Sequence, residues 1–346
     1  MTAIPDTMRQ WVLAKRPEGL ARESDFSIES APVPDIGPGE VLLKTQYLGV
    51  APVMLRYMTN DTTFERDLEI GDVMHGRGVG LVVASNNDNY KPGDLIVARL
   101  RWREYAVIDD DPYYMPFRYG HPDLNAGWAM GALGNNGFTT LVGMRDIART
   151  GPGDQVLVSG AAGGVGSHCA FVARALGAER VVGIAGGERK CRALTEQMGY
   201  DLAIDYKNDD VPKALDEIFP DGIDVFFDNV GGVLLDEVLG RIRRRARIAI
   251  CGRISEYLKD PSEYHRPKNF YRLGLMDSKA EGFFIFDYRD HYREHETVMA
   301  KWVREGKLTP IEDRLEGLES MPEALIGLYK GTNIGARIVR VDPTAT

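Results

Sequence analysis

The stretch "VLVSGAAGGVGSHCAF" (156–171) runs from a β-branched segment through four glycines, Gly160, Gly163, Gly164 and Gly166, into an apolar pattern of helical period. Gly160-x-x-Gly163-x-x-Gly166 at a strand-to-helix bend exposes backbone N–H groups and the positive end of a helix dipole, which is how a dinucleotide pyrophosphate is held. Small residues let phosphate oxygens approach the main chain, so Gly163, Gly164, Val165 and Gly166 are the expected contacts. The end of the following strand decides which dinucleotide. An NAD site places an acid about 20 residues after the glycines, on the ribose 2′-hydroxyl. Here that place reads "IAGGERKCR", with Gly186 and Gly187 where the acid would stand and Arg189, Lys190 and Arg192 opening the next helix. A 2′-phosphate suits a cationic helix start, so NADP(H) is expected over NAD(H), held mainly by Lys190 and by Tyr206 after the third strand. Glu188 works against this, and Arg189 and Arg192 also read as ordinary helix-surface charges.

Such turns must project from a sheet. From about residue 150, strands such as "QVLVSG", "RVVGIA", "LAIDY", "IDVFFDNV" and "ARIAICG" alternate with helical patterns, which predicts a parallel sheet covered on both faces. Residues 1 to about 125 read instead as short β-rich segments broken by turns such as "DIGPGE" and "NNDNYKPGD". The final strand-like "ARIVRV" is expected to rejoin that first domain. The dense basic run "RIRRRAR" (241–247) reads as the solvated end of a helix, with Arg243, Arg244 and Arg245 facing the negative end of its dipole.

Composition narrows the classes. The 346 residues have room for two domains, and 44% hydrophobic with 27% charged residues is the balance of a soluble globular chain. A formal charge of -9 argues against a nucleic-acid partner. No apolar run approaches the roughly 18 residues of a membrane helix, and the opening lacks a secretory pattern, so a cytoplasmic protein is expected. Cys169, Cys191 and Cys251 are too widely spaced for a disulfide framework or a zinc cluster. The six histidines show no metal-ligand spacing; His291 and His295 lie four apart but lack a third ligand and read as helix-surface residues.

Taken together, "GAAGGVGS", "GIAGGERKCR", "AIDYKNDD", "IDVFFDNVGG", "ICGRISEY", "AEGFFIFDY" and "GTNIGARIVRV" resemble the zinc-independent medium-chain reductases of the prostaglandin reductase, alkenal double-bond reductase and curcumin reductase group. The likeness extends over nearly the whole chain and is most specific from 150 to 290. It implies an α/β protein with a GroES-like β-barrel domain over residues 1–130, a Rossmann domain over 131–305 and a return to the barrel over 306–346. It further implies NADPH in the cleft between the domains and a homodimer paired through an edge strand, here "KAEGFFIFD" (279–287). Zinc-dependent relatives carry a cysteine after the first domain's "GV" and a His-Glu pair near residue 75; this chain has Ala51, and His75 without a following Glu. Without a metal electrophile, hydride addition to a conjugated carbon-carbon double bond remains feasible, because the enolate needs only hydrogen-bond donors and then a proton.

The resemblance also assigns roles. Tyr257 matches a tyrosine near the carbonyl end of the substrate, as a donor to the enolate or as a pocket wall, with the cofactor's ribose hydroxyl as a rival donor. Asn229 and Val230 match residues lining the nicotinamide, Gly186 and Cys251 belong to the cofactor site, and Asn333 matches an asparagine that fixes the cofactor from the C-terminal segment. Both asparagines also read as loop caps. The chain departs from the family at the substrate pocket: Val53 stands where a tyrosine often enters, Asn135 and Asn136 replace small or apolar residues, and Arg253 replaces a small one. These groups fit a polar or anionic small-molecule substrate, with Arg253 reading equally as a solvent-facing side chain. The segment 257–273 reads as a lid. NADPH-dependent reduction of an α,β-unsaturated ketone or aldehyde is the first reading; quinone or carbonyl reduction on the same scaffold and a low-turnover NADPH-binding protein remain as alternatives.

Overall fold

The structure is a computed structural model that describes residues 4–61 and 65–345. It divides into two units, one of residues 1–134 with 312–346 and one of residues 135–311. The sequence reading put the joins at 130/131 and 305/306. Both fall a few residues later in the chain, because the 3-10 turn Ala126–Met130 packs on strands of the first unit, while Lys307 and Leu308 donate their N–H groups back to Trp302 O in the second.

The chain opens with β1 (Thr7–Leu13) and β2 (Phe26–Pro32), an antiparallel ribbon. β3 (Val41–Gly49), α1 (Met54–Met58), β4 (Arg77–Ser85), β5 (Leu95–Arg99), β6 (Tyr105–Ile108) and β7 (Phe117–Arg118) follow. β3 pairs with both β4 and β6, so the sheet branches there and β3 is buried along nearly its whole length. Around it lie Leu13, Leu43, Leu48, Met58, Met74 and Trp102, and Phe26 stacks on Trp102 with ring centroids 5.4 Å apart.

The second unit runs through α2 (Asn135–Leu141), a π-helical stretch Val142–Ile147, β8 (Gln155–Val158), α3 (Gly166–Ala175), β9 (Arg180–Ala185), α4 (Glu188–Gln197) and β10 (Leu202–Asp205). It continues with α5 (Val211–Ile218), β11 (Ile223–Asp228), α6 (Gly232–Leu239), β12 (Ile242–Ile250), α7 (Arg272–Leu275), β13 (Lys279–Gly282) and α8 (Tyr292–Arg304). The strands form one parallel sheet in the order β10-β9-β8-β11-β12-β13. The order reverses between β8 and β11, and that switch point is where such sheets bind ligands, at the carboxyl ends of the strands. The chain then returns to the first unit through β14 (Glu312–Glu316), α9 (Met321–Tyr329) and β15 (Ala336–Arg340), which pairs with β3. This is the GroES-like plus Rossmann architecture expected from the sequence.

Three local expectations change. Arg243, Arg244 and Arg245 lie on β12 rather than at a helix end, because α6 already stops at Leu239 and the alternation of Ile242, Ala246 and Ile248 drives a strand. Arg243 pairs with Asp224 at 3.0 Å and Arg247 with Asp154 at 2.6 Å; Arg245, at φ 64, pairs with Asp277. The edge strand stops at Gly282 instead of running to 287, since Phe283 turns in against Phe227 and the next residues form a 3-10 turn. His295 is buried rather than on the surface: α8 packs on α2, which places His295 beside Phe138 and Tyr292 and pushes its imidazole down to about 4 through desolvation.

Candidate functional site

β8 is fully apolar after its first residue, and the chain leaves it through Ser159 and Gly160, which turns at φ +59. Gly163 donates its N–H to Gly160 O at 3.0 Å, closing the bend before α3 begins. A Cβ on Gly166 would lie 2.4 Å from Gly160 O and 2.7 Å from Ala161 Cα, so the helix can approach the turn this closely only without a side chain. No side chain caps the start of α3, and the buried Tyr200 hydroxyl anchors it by donating to Gly166 O at 2.6 Å. An uncapped ten-residue helix behind a turn of small residues fits a phosphate group.

After β9 the chain turns at Gly186 and Gly187, and α4 starts at Glu188. Parallel pairing sets Asp205 of β10 opposite Ala185, so its carboxylate reaches the turn and accepts N–H bonds from Gly187 at 2.7 Å and Lys207 at 3.0 Å. With Asn208 also donating at 2.7 Å, those bonds hold the Asp205 carboxyl below its ordinary range. Tyr206 then lies over Gly186: a Cβ there would come within 2.7–2.8 Å of its ring and hydroxyl. Glu188, the residue that opposed a 2′-phosphate, is paired with Arg192 one turn on. Lys190, half-buried in the first turn of α4, completes this corner.

The end of β11 is built on Asp228, which is wholly buried. Its carboxylate accepts from Ser159 Oγ at 2.8 Å and from the N–H groups of Val230 and Gly231 at 3.0 Å, tying the ends of β8 and β11 together. Burial raises its pKa in spite of these bonds. Asn229 donates its side-chain amide to Ser159 O at 2.8 Å. A Cβ on Gly160 would meet Asn229 at 3.3 Å and Val230 at 3.5 Å, so both lie against the glycine turn. Cys251, at the end of β12, donates its N–H to Asp228 O, and its thiol is pushed up to about 12 by burial and by Asp228.

Arg253 lies beside Gly231, with its guanidinium 4.7 Å from the ring centre of Tyr264. Tyr257 is half-buried at the end of the 3-10 turn Ile254–Glu256. The segment read as a lid is fastened to α6: buried Glu256 accepts the N–H of His265 at 3.0 Å, His265 Nε2 meets Asp236 at 2.9 Å, and Asn269 donates its N–H to Asp236 at 2.7 Å. Asn135 and Asn136 open α2, and the carboxamide of Asn136 lies against Gly164. The Thr140 hydroxyl donates to Val165 O at 2.9 Å, binding α2 to the same turn.

The structure thus brings Gly163, Gly164, Val165, Gly166, Asn136, Asn229 and Val230 to one strand-end cluster, and Gly186, Lys190 and Tyr206 to another. Val53 and Asn333 belong to the first unit. There Val53 precedes α1, and Asn333 donates its amide to Gly335 O at 3.0 Å as a loop cap. His75 is buried with Nε2 2.8 Å from Arg66 O, and among the described residues no group of three or more His, Cys, Asp or Glu side chains could hold a metal. Asp205, Asp228 and Ser159 went unrecognised from sequence; the only available signal was a carboxylate at the end of each of "LAID" and "VFFD". A hollow of about 620 Å³ beside Arg180, Phe219 and Arg243 lies at the opposite, amino ends of the strands and is rimmed by Glu179, Asp201, Glu217 and Asp221, which disfavours a phosphate there.

Comparison with known proteins agrees with this geometry. Residues 9–115 match a family model described as the N-terminal domain of oxidoreductase, and residues 164–301 one described as zinc-binding dehydrogenase. The chain is 38% identical to a putative NADP-dependent oxidoreductase, YfmJ, of Bacillus subtilis, covering 98% of this chain and 99% of that protein. It is 36% identical to the NADPH-dependent curcumin reductase of Escherichia coli over 96% of both. The crystal structure of CurA in complex with NADPH from Vibrio vulnificus superposes with a TM-score of 0.88 at 34% identity, covering 96% of this chain and 99% of that one. With that likeness running through both units, the chain belongs to the medium-chain dehydrogenase/reductase family, in the NADP-dependent group that includes the curcumin, 2-alkenal and prostaglandin reductases.

Proposed function

We propose that the protein uses NADPH to reduce the carbon-carbon double bond of an α,β-unsaturated ketone or aldehyde. The observation that carries this is the pair of strand-end turns: an uncapped glycine turn after β8, and after β9 a turn with Gly186, Gly187 and Lys190 where a ribose-selecting carboxylate would stand. The N–H groups of Gly163 to Gly166 would hold the pyrophosphate, Lys190 and Tyr206 the 2′-phosphate beside Gly186, and Asn229, Val230 and Cys251 the nicotinamide end. When bound, NADPH supplies a hydride for the β-carbon. Negative charge would then develop on the substrate's carbonyl oxygen, where Tyr257 is proposed to donate a phenolic hydrogen bond, and uptake of a proton, ultimately from solvent, at the α-carbon would complete the saturated product. The Cys251 thiol, pushed up to about 12, stays neutral at pH 7 and lines the site without acting as base or nucleophile.

The reaction is proposed to need no metal, since Ala51 and the backbone-bonded His75 occupy the positions where zinc-dependent relatives carry ligands. Arg253 and Asn135 are proposed to favour a polar substrate; for Val53 as a substrate contact and Asn333 as a cofactor contact the reading rests on the family alone. A homodimer through β13 is also proposed. All four β13 residues are exposed, and adjoining α7 leaves Leu275 72% exposed, with Phe270 at 62% just before it. Unpaired strand edges beside apolar residues favour pairing. A cytoplasmic location belongs to the same proposal, and the three free cysteines fit a reducing compartment.

Anaerobic incubation with NADPH or NADH and an enone, a quinone or a saturated ketone, with products identified by mass, tests the reading. The expected product is the saturated ketone from the enone, formed faster with NADPH. Alcohol or hydroquinone as the main product would replace double-bond reduction with the carbonyl or quinone alternative. Tyr257→Phe is expected to lower kcat about tenfold or more while NADPH affinity holds; unchanged kcat leaves Tyr257 as a pocket wall.

A further inference from the structure

Asp228 is a fully buried carboxylate that, among the described residues, has no cation partner. Burial and the nearby Glu256 both disfavour its charge, so an apolar residue would end β11 at lower cost. What the carboxylate does instead is collect the N–H groups of the turn that follows. Val230 and Gly231 donate to its Oδ1 at 3.0 Å, Gly231 also to Oδ2 at 3.1 Å, and the Ser159 hydroxyl donates to Oδ1 at 2.8 Å. Ser159 Oγ in turn accepts the N–H of Asn229 at 2.9 Å. The N–H groups of 229 to 231 therefore all end on Asp228 or on the hydroxyl it holds. The carbonyls of the same turn are held separately, by the segment after β12: Asp228 O accepts from Cys251 and Gly252, and Val230 O from the N–H and the hydroxyl of Ser255. Gly231 at φ 68 and Gly232 at φ 63 follow in the left-handed region, so the chain has little stiffness of its own here. The placement of Asn229 and Val230 against the glycine turn after β8 thus depends on the buried carboxylate.

We propose that Asp228 is a positioning residue for the nicotinamide end of the cofactor: through Ser159 and the N–H groups of Val230 and Gly231 it fixes the Asn229–Val230 wall against which the ring lies. This rests on the NADPH reading above. Being fully buried, Asp228 acts through its neighbours and touches neither cofactor nor substrate. An asparagine of the same shape keeps Oδ1, where three of the four bonds to the carboxylate end, whereas alanine keeps none.

The test is equilibrium binding of NADPH and of 2′-phospho-ADP-ribose, which has every part of NADPH except the nicotinamide, with thermal unfolding of each variant alongside. The deciding quantity is the preference for NADPH, the ratio of the two dissociation constants. Asp228→Ala is expected to reduce that preference about tenfold, because only the ring meets the loosened wall, whatever happens to Tm. Asp228→Asn should keep it within about twofold of wild type. Ser159→Ala removes the hydroxyl from the network while the strands around it stay paired, and it should reduce the preference a few-fold. An unchanged preference in Asp228→Ala, or in Ser159→Ala where Asp228→Ala does not fold, would overturn the proposal and leave Asp228 as a tie between strands. A loss in Asp228→Asn as large as that in Asp228→Ala would overturn it too, since charge rather than the placement of the turn would then be at work. Wild-type protein that binds neither ligand would instead sink the NADPH reading beneath it.

Discussion

After β8 the chain turns on its own backbone, whereas after β9 it turns on side chains supplied by β10. In the first turn Gly166 lies so near Gly160 O that no side chain fits, and Gly160 takes a left-handed φ. In the second, Gly187 N–H is held by Asp205 and Gly186 is covered by Tyr206. Both turns lie at the carboxyl edge of one sheet, and in the proposed function they meet different parts of the ligand. A pyrophosphate is common to every dinucleotide and is best met by main-chain N–H groups. Discrimination at the ribose needs chemically distinct side chains, and those come from the next strand.

The contrast is open to attack in order of expected effect. Gly166→Ala forces a Cβ against backbone with no flexible end to give way, so a loss of about 3 kcal/mol in urea unfolding and loss of NADPH binding are expected. A variant of wild-type stability would show that this turn is not closed on its own backbone.

Asp205→Ala should cost about 2 kcal/mol, because Gly187, Lys207 and Asn208 lose a charged acceptor. It also has a pH signature. The Asp205 carboxyl is held below its ordinary 3.8, so its stabilising contribution is present above about pH 4 and disappears as pH falls through the depressed value. The difference in stability between wild type and Asp205→Ala should therefore shrink on acidification below pH 4. A constant difference would assign the effect to packing rather than to the charge.

Gly186→Ala sharpens the same point from the other side. The expected clash distance is similar to that at Gly166, but the obstacle is Tyr206, which is 56% exposed and free to swing outward. Stability should change by less than about 0.5 kcal/mol, while the ratio of NADH to NADPH dissociation constants drops a few-fold. An unchanged ratio removes Tyr206 from the 2′-phosphate corner.

The glycine turn was legible because its determinants are local: a β-branched run, three-residue glycine spacing and a helical apolar period all lie within sixteen residues. Gly186, Gly187 and Lys190 were legible for the same reason, as a departure at a known distance from the glycines. Asp228 was not, since its partners are Ser159, on the neighbouring strand, and N–H groups that only the folded turn exposes. Arg243 to Arg245 misled because consecutive charges mimic a helix terminus, and the carboxylates that make them tolerable on β12 come from Asp224 and Asp277. His295 misled because one side of α8 looks polar until Phe138 is packed on it.

Periodicity and the spacing of small residues follow from bond geometry within a few residues, so they settled most of the strands and helices, where the glycine turn lies and which family the chain resembles. Register is different, because it depends on how separate strands align across the sheet. Pairing Asp205 with Ala185 brings a carboxylate to Gly187, and packing α2 on α3 brings Asn136 to Gly164. Those neighbours are far apart along the chain, and only burial of the shared core chooses which of them meet.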